Sequence, residues 1–124
     1  MTNQEFVREF KKRQYQHTLN LIKFIDSLPG GNVAKRLGDQ LLRSGTSVIA
    51  NYVEGQSGSS KKDFTNYLSI ALKSANESKL WLSMLRDTNR ASAEQTDPLI
   101  REFDEISKIL AASILKSRNK QRNS

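Results

Sequence analysis

The stretch VAKRLGDQLLRSGTSVIANYVE, residues 33–54, decides the fold. Ala34, Leu37, Leu41, Leu42, Val48, Ile49, Tyr52 and Val53 recur at helical spacing and cover one broad face, with no strand-like alternation to compete. Gly45 sits at the centre of that face. Glycine inside a helix costs about 1 kcal/mol relative to alanine, so its place on the apolar side points to close approach by a neighbouring helix. Leu28, Pro29, Gly30, Gly31 and Asn32 come first and supply a stop, a turn and an N-cap at Asn32. Gly55, Gln56, Ser57, Gly58, Ser59 and Ser60 follow as a loop.

On either side the spacing predicts further helices. Over residues 3–28, Phe6, Phe10, Leu21, Phe24 and Leu28 fall within about 60° of arc, with His17 in the same stripe. Ser60 and Asp63 form an acidic variant of a capping box and open a third helix over 61–87. Its stripe of Phe64, Tyr67, Leu68, Ala71, Leu72, Ala75, Leu82 and Leu85 is widened by Ile70 and Trp81 beyond what one neighbour would cover. Residues 88–96 are a polar connection. Asp97 as N-cap and Pro98 at the first helical position then open a fourth helix over 98–117, carrying Leu99, Phe103, Ile106, Leu110 and Ile114. Short connections force successive helices to run antiparallel. The expected fold is therefore all-α, an antiparallel up-down four-helix bundle forming a single domain over residues 1–118. A flexible basic tail is expected at 119–124.

The 124-residue chain is one domain's worth. Lys plus Arg number 20 against 13 Asp plus Glu, a net charge of +7 that favours polyanionic partners. A hydrophobic fraction of 36%, with only 2 Pro and 6 Gly, suits amphipathic helices. The absence of Cys removes disulfides, thiolate metal sites and a Cys nucleophile. With a single His, and no paired carboxylates or nucleophile–base pair in view, the expectation is a protein that is not an enzyme and has no cofactor and no metal. Met1 to Glu5 contains no apolar signal segment, and no apolar run approaches the ~18 residues of a membrane span. A soluble, cytoplasmic protein with no membrane contact is expected.

Residues 40–52, QLLRSGTSVIANY, followed by Glu54 and Gly55, resemble a motif of a bacterial four-helix bundle family. That family includes proteins encoded in intervening sequences of large-subunit ribosomal RNA genes. Its distant relatives are the Avd accessory proteins of diversity-generating retroelements. Leu72, Lys73, Ala75, Glu77, Trp81 and Leu82 resemble the family's second motif, and the likeness runs from about Leu19 to Arg86. The resemblance implies a four-helix bundle that assembles into a homopentameric barrel. In the Avd branch it also implies a basic surface that binds structured RNA and a reverse transcriptase. It implies no catalytic residues. The sequence departs from the family pattern at Ile49, where Gly is frequent, at Ser74, where an acid is expected, and over residues 53–57, which lack a basic run.

Two sets of residues stand out as candidate sites. Arg36, Gln40, Arg43, Ser47, Asn51 and Glu54 lie within about 80° of one another, opposite the Gly45 face. Such a stripe is a solvated face, a direct ligand contact, or a buried or subunit-facing hydrogen-bond network in which Arg43 pairs with Glu54 or Glu77. Ser and Asn are mediocre helix formers that a solvated face does not need. The second set is basic: Lys11, Lys12 and Arg13; Lys61 and Lys62; and Lys116, Arg118, Lys120 and Arg122. An up-down bundle brings these to one end as a nucleic-acid-binding region, with Lys35 and Arg36 at the other. Isolated lysine pairs also decorate ordinary soluble helices. His17 reads as a core or interface residue, since a metal would need partners that its stripe does not offer. Tyr67 and Trp81 read as core or interface aromatics before stacking platforms.

These readings combine into a non-enzymatic, self-associating bundle that binds structured RNA or a nucleic-acid-handling partner such as a reverse transcriptase. The alternative is a protein-interaction scaffold whose charge serves solubility.

Overall fold

The computed structural model describes residues 1–58 and 60–122, with backbone alone at 121 and 122. Its elements are α1 (Asn3–Asp26), α2 (Asn32–Gln56), α3 (Lys61–Asp87) and α4 (Ala93–Arg122). The Thr2 hydroxyl caps α1 by accepting from the Glu5 N–H at 3.1 Å, and Ser60 caps α3 likewise through the Asp63 N–H. The helices are arranged in chain order around a square. α1 and α3 each pack on both α2 and α4, and the diagonal pairs do not approach as backbones.

The packed pairs all run antiparallel. Tyr52 meets Phe10 edge-on with ring centroids 5.0 Å apart, and Gly45 lies against Leu21. Ser44 and Ser78 share a hydrogen bond of 2.8 Å, and the Ser74 hydroxyl donates to Ser47 at 3.0 Å. Thr65 and Ser117 join α3 to α4 at 2.9 Å, and Lys79 donates to Asp104 at 3.1 Å. Between the four helices, Leu21, Leu41, Leu68, Ala71, Ala75, Leu82, Leu85 and Leu110 are wholly buried. Burying each leucine contributes about 1.5–3 kcal/mol.

Several boundaries differ from the sequence expectation. α2 runs on to Gln56, so Gly55 and Gln56, expected in the loop, are helical: Gly55 is buried against Tyr67 and Leu68 of α3, and the Ser57 N–H closes the last turn on the Glu54 and Gly55 carbonyls. Asn32 is not the N-cap of α2. Gly31 occupies that position at φ +119°, a backbone conformation that favours glycine, and Asn32 is already helical, its side chain accepting from the Arg36 Nε at 3.1 Å. α1 stops at Asp26 rather than at Leu28, because the Ser27 N–H turns back onto the Phe24 and Ile25 carbonyls. α4 starts at Ala93, not Pro98. Ser92 and Gln95 form a reciprocal box in which the Gln95 N–H donates to the Ser92 hydroxyl at 3.1 Å and the Ser92 N–H donates to the Gln95 side chain at 3.0 Å. Asp97 therefore does not cap the helix; it accepts from Arg86 of α3 at 2.9 Å. Pro98 falls in the second turn, where its missing N–H leaves only the carbonyl of exposed Glu94 unbonded within the helix.

The C-terminal end also differs. α4 remains helical through residues 119–122, where the composition predicts a flexible tail; the last residues of that stretch, 123 and 124, lie outside the described residues. Ile114 and Ser117 are buried and register the preceding turns against α3, while cationic side chains complement the helix dipole at this end.

Gly45 and Gly38 test how closely α1 approaches α2. A Cβ on Gly45 would run into Leu21 Cδ2 within the sealed core, whereas one on Gly38 would lie 3.2 Å from half-buried Leu28 just beyond the end of α1. Gly45→Ala is expected to cost about 1–3 kcal/mol net of its gain in helix propensity, and Gly38→Ala to be neutral or stabilising. Urea midpoints of the two variants check this ordering; equal midpoints would show that Leu21 yields freely.

Candidate nucleic-acid interface

The antiparallel arrangement gathers the N-termini of α1 and α3 and the C-termini of α2 and α4 at one end of the bundle. A cleft of about 630 Å³ opens there, lined by residues from all four helices. Phe6, Val7, Tyr52, Phe64 and Ile109 form its apolar walls, and Lys61, Lys116 and Lys120 stand around it. No Asp or Glu lines it among the described residues. Lys61 and Lys62 lie in the first turn of α3, where the helix dipole disfavours cations by about 0.3–1 kcal/mol. A bound anion removes that penalty.

The other predicted basic residues are placed differently. Lys62 and Arg118 are exposed at the same end but outside the cleft lining, and Lys11 and Lys12 are exposed further along α1. Arg13 is engaged in a bidentate pair with Glu102 of α4, both contacts at 2.7 Å, which leaves less of its charge for an outside anion. The Arg122 side chain lies outside the described residues. Phe6, Gln56 and Phe64 were not expected as site residues. The available signal was Phe6, the first member of the α1 stripe, which emerges beyond the bundle's end with 36% exposure.

The polar stripe of α2 splits into two linked groups on the seam with α3. Arg43 donates to Gln40 at 3.1 Å and to Glu77 at 2.8 Å, with its side chain 55% exposed. Asn51 donates to the Ser47 carbonyl and hydroxyl, both at 2.9 Å, and Ser47 accepts in turn from Ser74. Arg36 turns to Asn32, and Glu54 is exposed. Of the two candidate acids, Glu77 is the one that Arg43 meets. Ser74 replaces an expected acid on this seam and serves as a hydrogen-bond donor to Ser47. In the protomer the Arg43 group lies at the surface, whereas Ser47 and Asn51 are half-buried and Ser74 is buried.

His17 is buried edge-on against Phe103, with ring centroids 4.2 Å apart. Burial pushes its pKa down to about 4, against opposing attraction from Glu102. Its Nε2 has no partner, nor do the side-chain nitrogen and oxygen of buried Gln14, three residues earlier on the same stripe. Among the described residues no group of His, Asp and Glu is placed to hold a metal ion. No described helix is long and apolar enough to cross a membrane.

Comparison with known proteins gives this geometry a family context. Residues 8–112 match the family described as 23S rRNA-intervening sequence protein. A crystal structure of a protein of unknown function from the S23 ribosomal protein family of Bacteroides thetaiotaomicron VPI-5482 is similar, with 34% identity and a TM-score of 0.77. The alignment covers 85% of this chain and 97% of that one. No curated protein matches the sequence.

The buried imidazole has a pH signature. The unfolded residue takes up a proton near pH 6.5, whereas the native residue resists protonation down to about 4. Its stability contribution is complete above pH 6.5 and is lost as the pH falls toward 4, by up to about 1.4 kcal/mol per unit. Urea midpoints of the parent are expected to fall through this window, and those of His17→Leu to stay nearly flat. Glu102, held below its ordinary carboxylate range by Arg13, begins to lose its contribution only from about pH 4.5 downward, so the fall between pH 6.5 and 5 reports His17. Parallel slopes in the two proteins would contradict the assignment.

Proposed function

Because the chain belongs to the 23S rRNA-intervening sequence protein family, we propose that it is a non-catalytic, self-associating four-helix bundle that binds structured RNA through its basic end. The observation that carries this reading is the convergence of Lys61, Lys116 and Lys120 around a cleft that no Asp or Glu lines among the described residues, with Lys62 and Arg118 beside it. Phosphate contacts need charge and reach, which exposed lysines on two helix ends supply. Self-association multiplies the patch and raises avidity without base readout. A nucleic-acid-handling enzyme, such as a reverse transcriptase, is the protein partner most compatible with such an accessory.

The proposed assembly uses two separate apolar patches. α2 exposes Leu42 and Val53 at 40% and 43%, and α3 exposes Ile70, Leu80 and Met84 at 47%, 49% and 40%. A ring needs two different surfaces on each subunit, and the exposed apolar side chains of α2 and of α3 are the candidates for them. A homopentamer is the stoichiometry that the family resemblance implies. The same exposed side chains favour the second reading, a scaffold that docks another protein.

Salt separates the two readings. A titration with structured RNA and duplex DNA at two salt concentrations, on protein sized by light scattering, is expected to show tight binding at low salt. Affinity should fall by orders of magnitude as salt rises. Absence of binding at low salt would leave the scaffold. The seam supplies an independent check on assembly. An exposed ion pair in a lone protomer is worth below about 1 kcal/mol, so Arg43→Ala should barely move the melting temperature of dilute monomer. It should lower that of the assembled protein by several degrees, because covering the seam leaves Glu77 unpaired. Identical melts for parent and variant at every concentration would remove the seam from the interface.

A further inference from the structure

The cleft at the basic end has more than phosphate-binding chemistry. Phe6 and Phe64 are among its lining residues, as are Asn3 and Gln56, whose side chains carry amides. Lys116 and Lys120 are one helical turn apart, with Cβ atoms separated by about 5–6 Å, on the order of the distance between successive phosphates in an extended strand. Lys61 stands on α3, a different helix lining the same cleft. A volume of about 630 Å³ is within the range of sites that take a small organic group. A phosphate-only surface needs neither a cleft of this volume nor aromatic lining residues. An alkyl ligand would have no use for the two amides.

We infer that this cleft captures an unpaired nucleobase, stacked against Phe6 and Phe64, while Lys61, Lys116 and Lys120 hold the phosphates on either side of it. The inference rests on the RNA-binding reading and deepens it, because it makes unstacked loop or bulge nucleotides the recognised feature. Base-edge groups meet Asn3 and Gln56, both able to donate and to accept. Stacking on an aromatic ring is tolerant of base identity, so the cleft selects single-stranded character over sequence.

The test compares two RNA hairpins with identical stems and identical phosphate number, one with a normal loop and one whose loop nucleotides are abasic. Affinities for the full chain are read by fluorescence anisotropy at low salt. The expected result is about ten-fold weaker binding of the abasic hairpin. Phe6→Leu, which keeps apolar filling but removes the ring, is expected to abolish that difference while binding the abasic hairpin like the parent. Phe64→Leu provides a second variant, on α3. Equal affinity of the parent for both hairpins would overturn the base-capture inference and leave phosphate binding standing. A difference that survives both substitutions would overturn the cleft as its site. Failure to bind either hairpin would overturn the RNA-binding reading and this inference with it.

Discussion

The bundle depends on how closely α2 is approached from two sides. On one side Gly45 admits Leu21, leaving no room for even a methyl group. On the other, Ser44 meets Ser78 inside the core at 2.8 Å, and the Ser78 hydroxyl also reaches the Ser74 carbonyl at 2.9 Å, so the buried polar pair stays hydrogen-bonded. Small side chains here trade buried apolar volume for proximity. The larger residues of α2, Leu41, Val48 and Tyr52, then reach the common core instead of separating the helices.

This spacing fixes the register that arranges the surface. Once Ser44 faces Ser78 and Ser47 faces Ser74, Arg43 lies opposite Glu77 without further adjustment. The same antiparallel register brings the start of α3 beside the end of α4, where Thr65 and Ser117 are joined. The lysines of both helix ends then share one rim. Their mutual repulsion, together with the unfavourable dipole at Lys61 and Lys62, is a modest stability cost that a polyanion would relieve.

Much of the fold was legible because apolar periodicity survives without knowledge of neighbours. The stripes on α1, α2 and α3 could be read from spacing, as could the Ser60 cap. The start of α4 was misplaced because Asp97 and Pro98 make a strong local start signal. The Ser92–Gln95 box, equally visible, lay inside a segment already read as a polar connection. For the site, spacing and topology together placed Lys61 and the α4 lysines at one end. Neither revealed that Arg13 turns to Glu102, since that choice depends on which face of α1 meets α4. Nor did they reveal the cleft, whose walls come from residues far apart in sequence such as Phe6, Tyr52 and Ile109. The buried amide of Gln14 was missed because polarity alone assigns such a residue to solvent.

The central claim is that the lysine rim is a polyanion site. The most direct measurement is the slope of log affinity against log salt for structured RNA, taken for the parent and for a Lys61→Gln/Lys116→Gln/Lys120→Gln variant of unchanged melting temperature. Each phosphate contact contributes about 0.7–0.9 to the slope, so the variant should be shallower by about 2–3. An unchanged slope would contradict the account, because it would place the phosphate contacts elsewhere on the bundle.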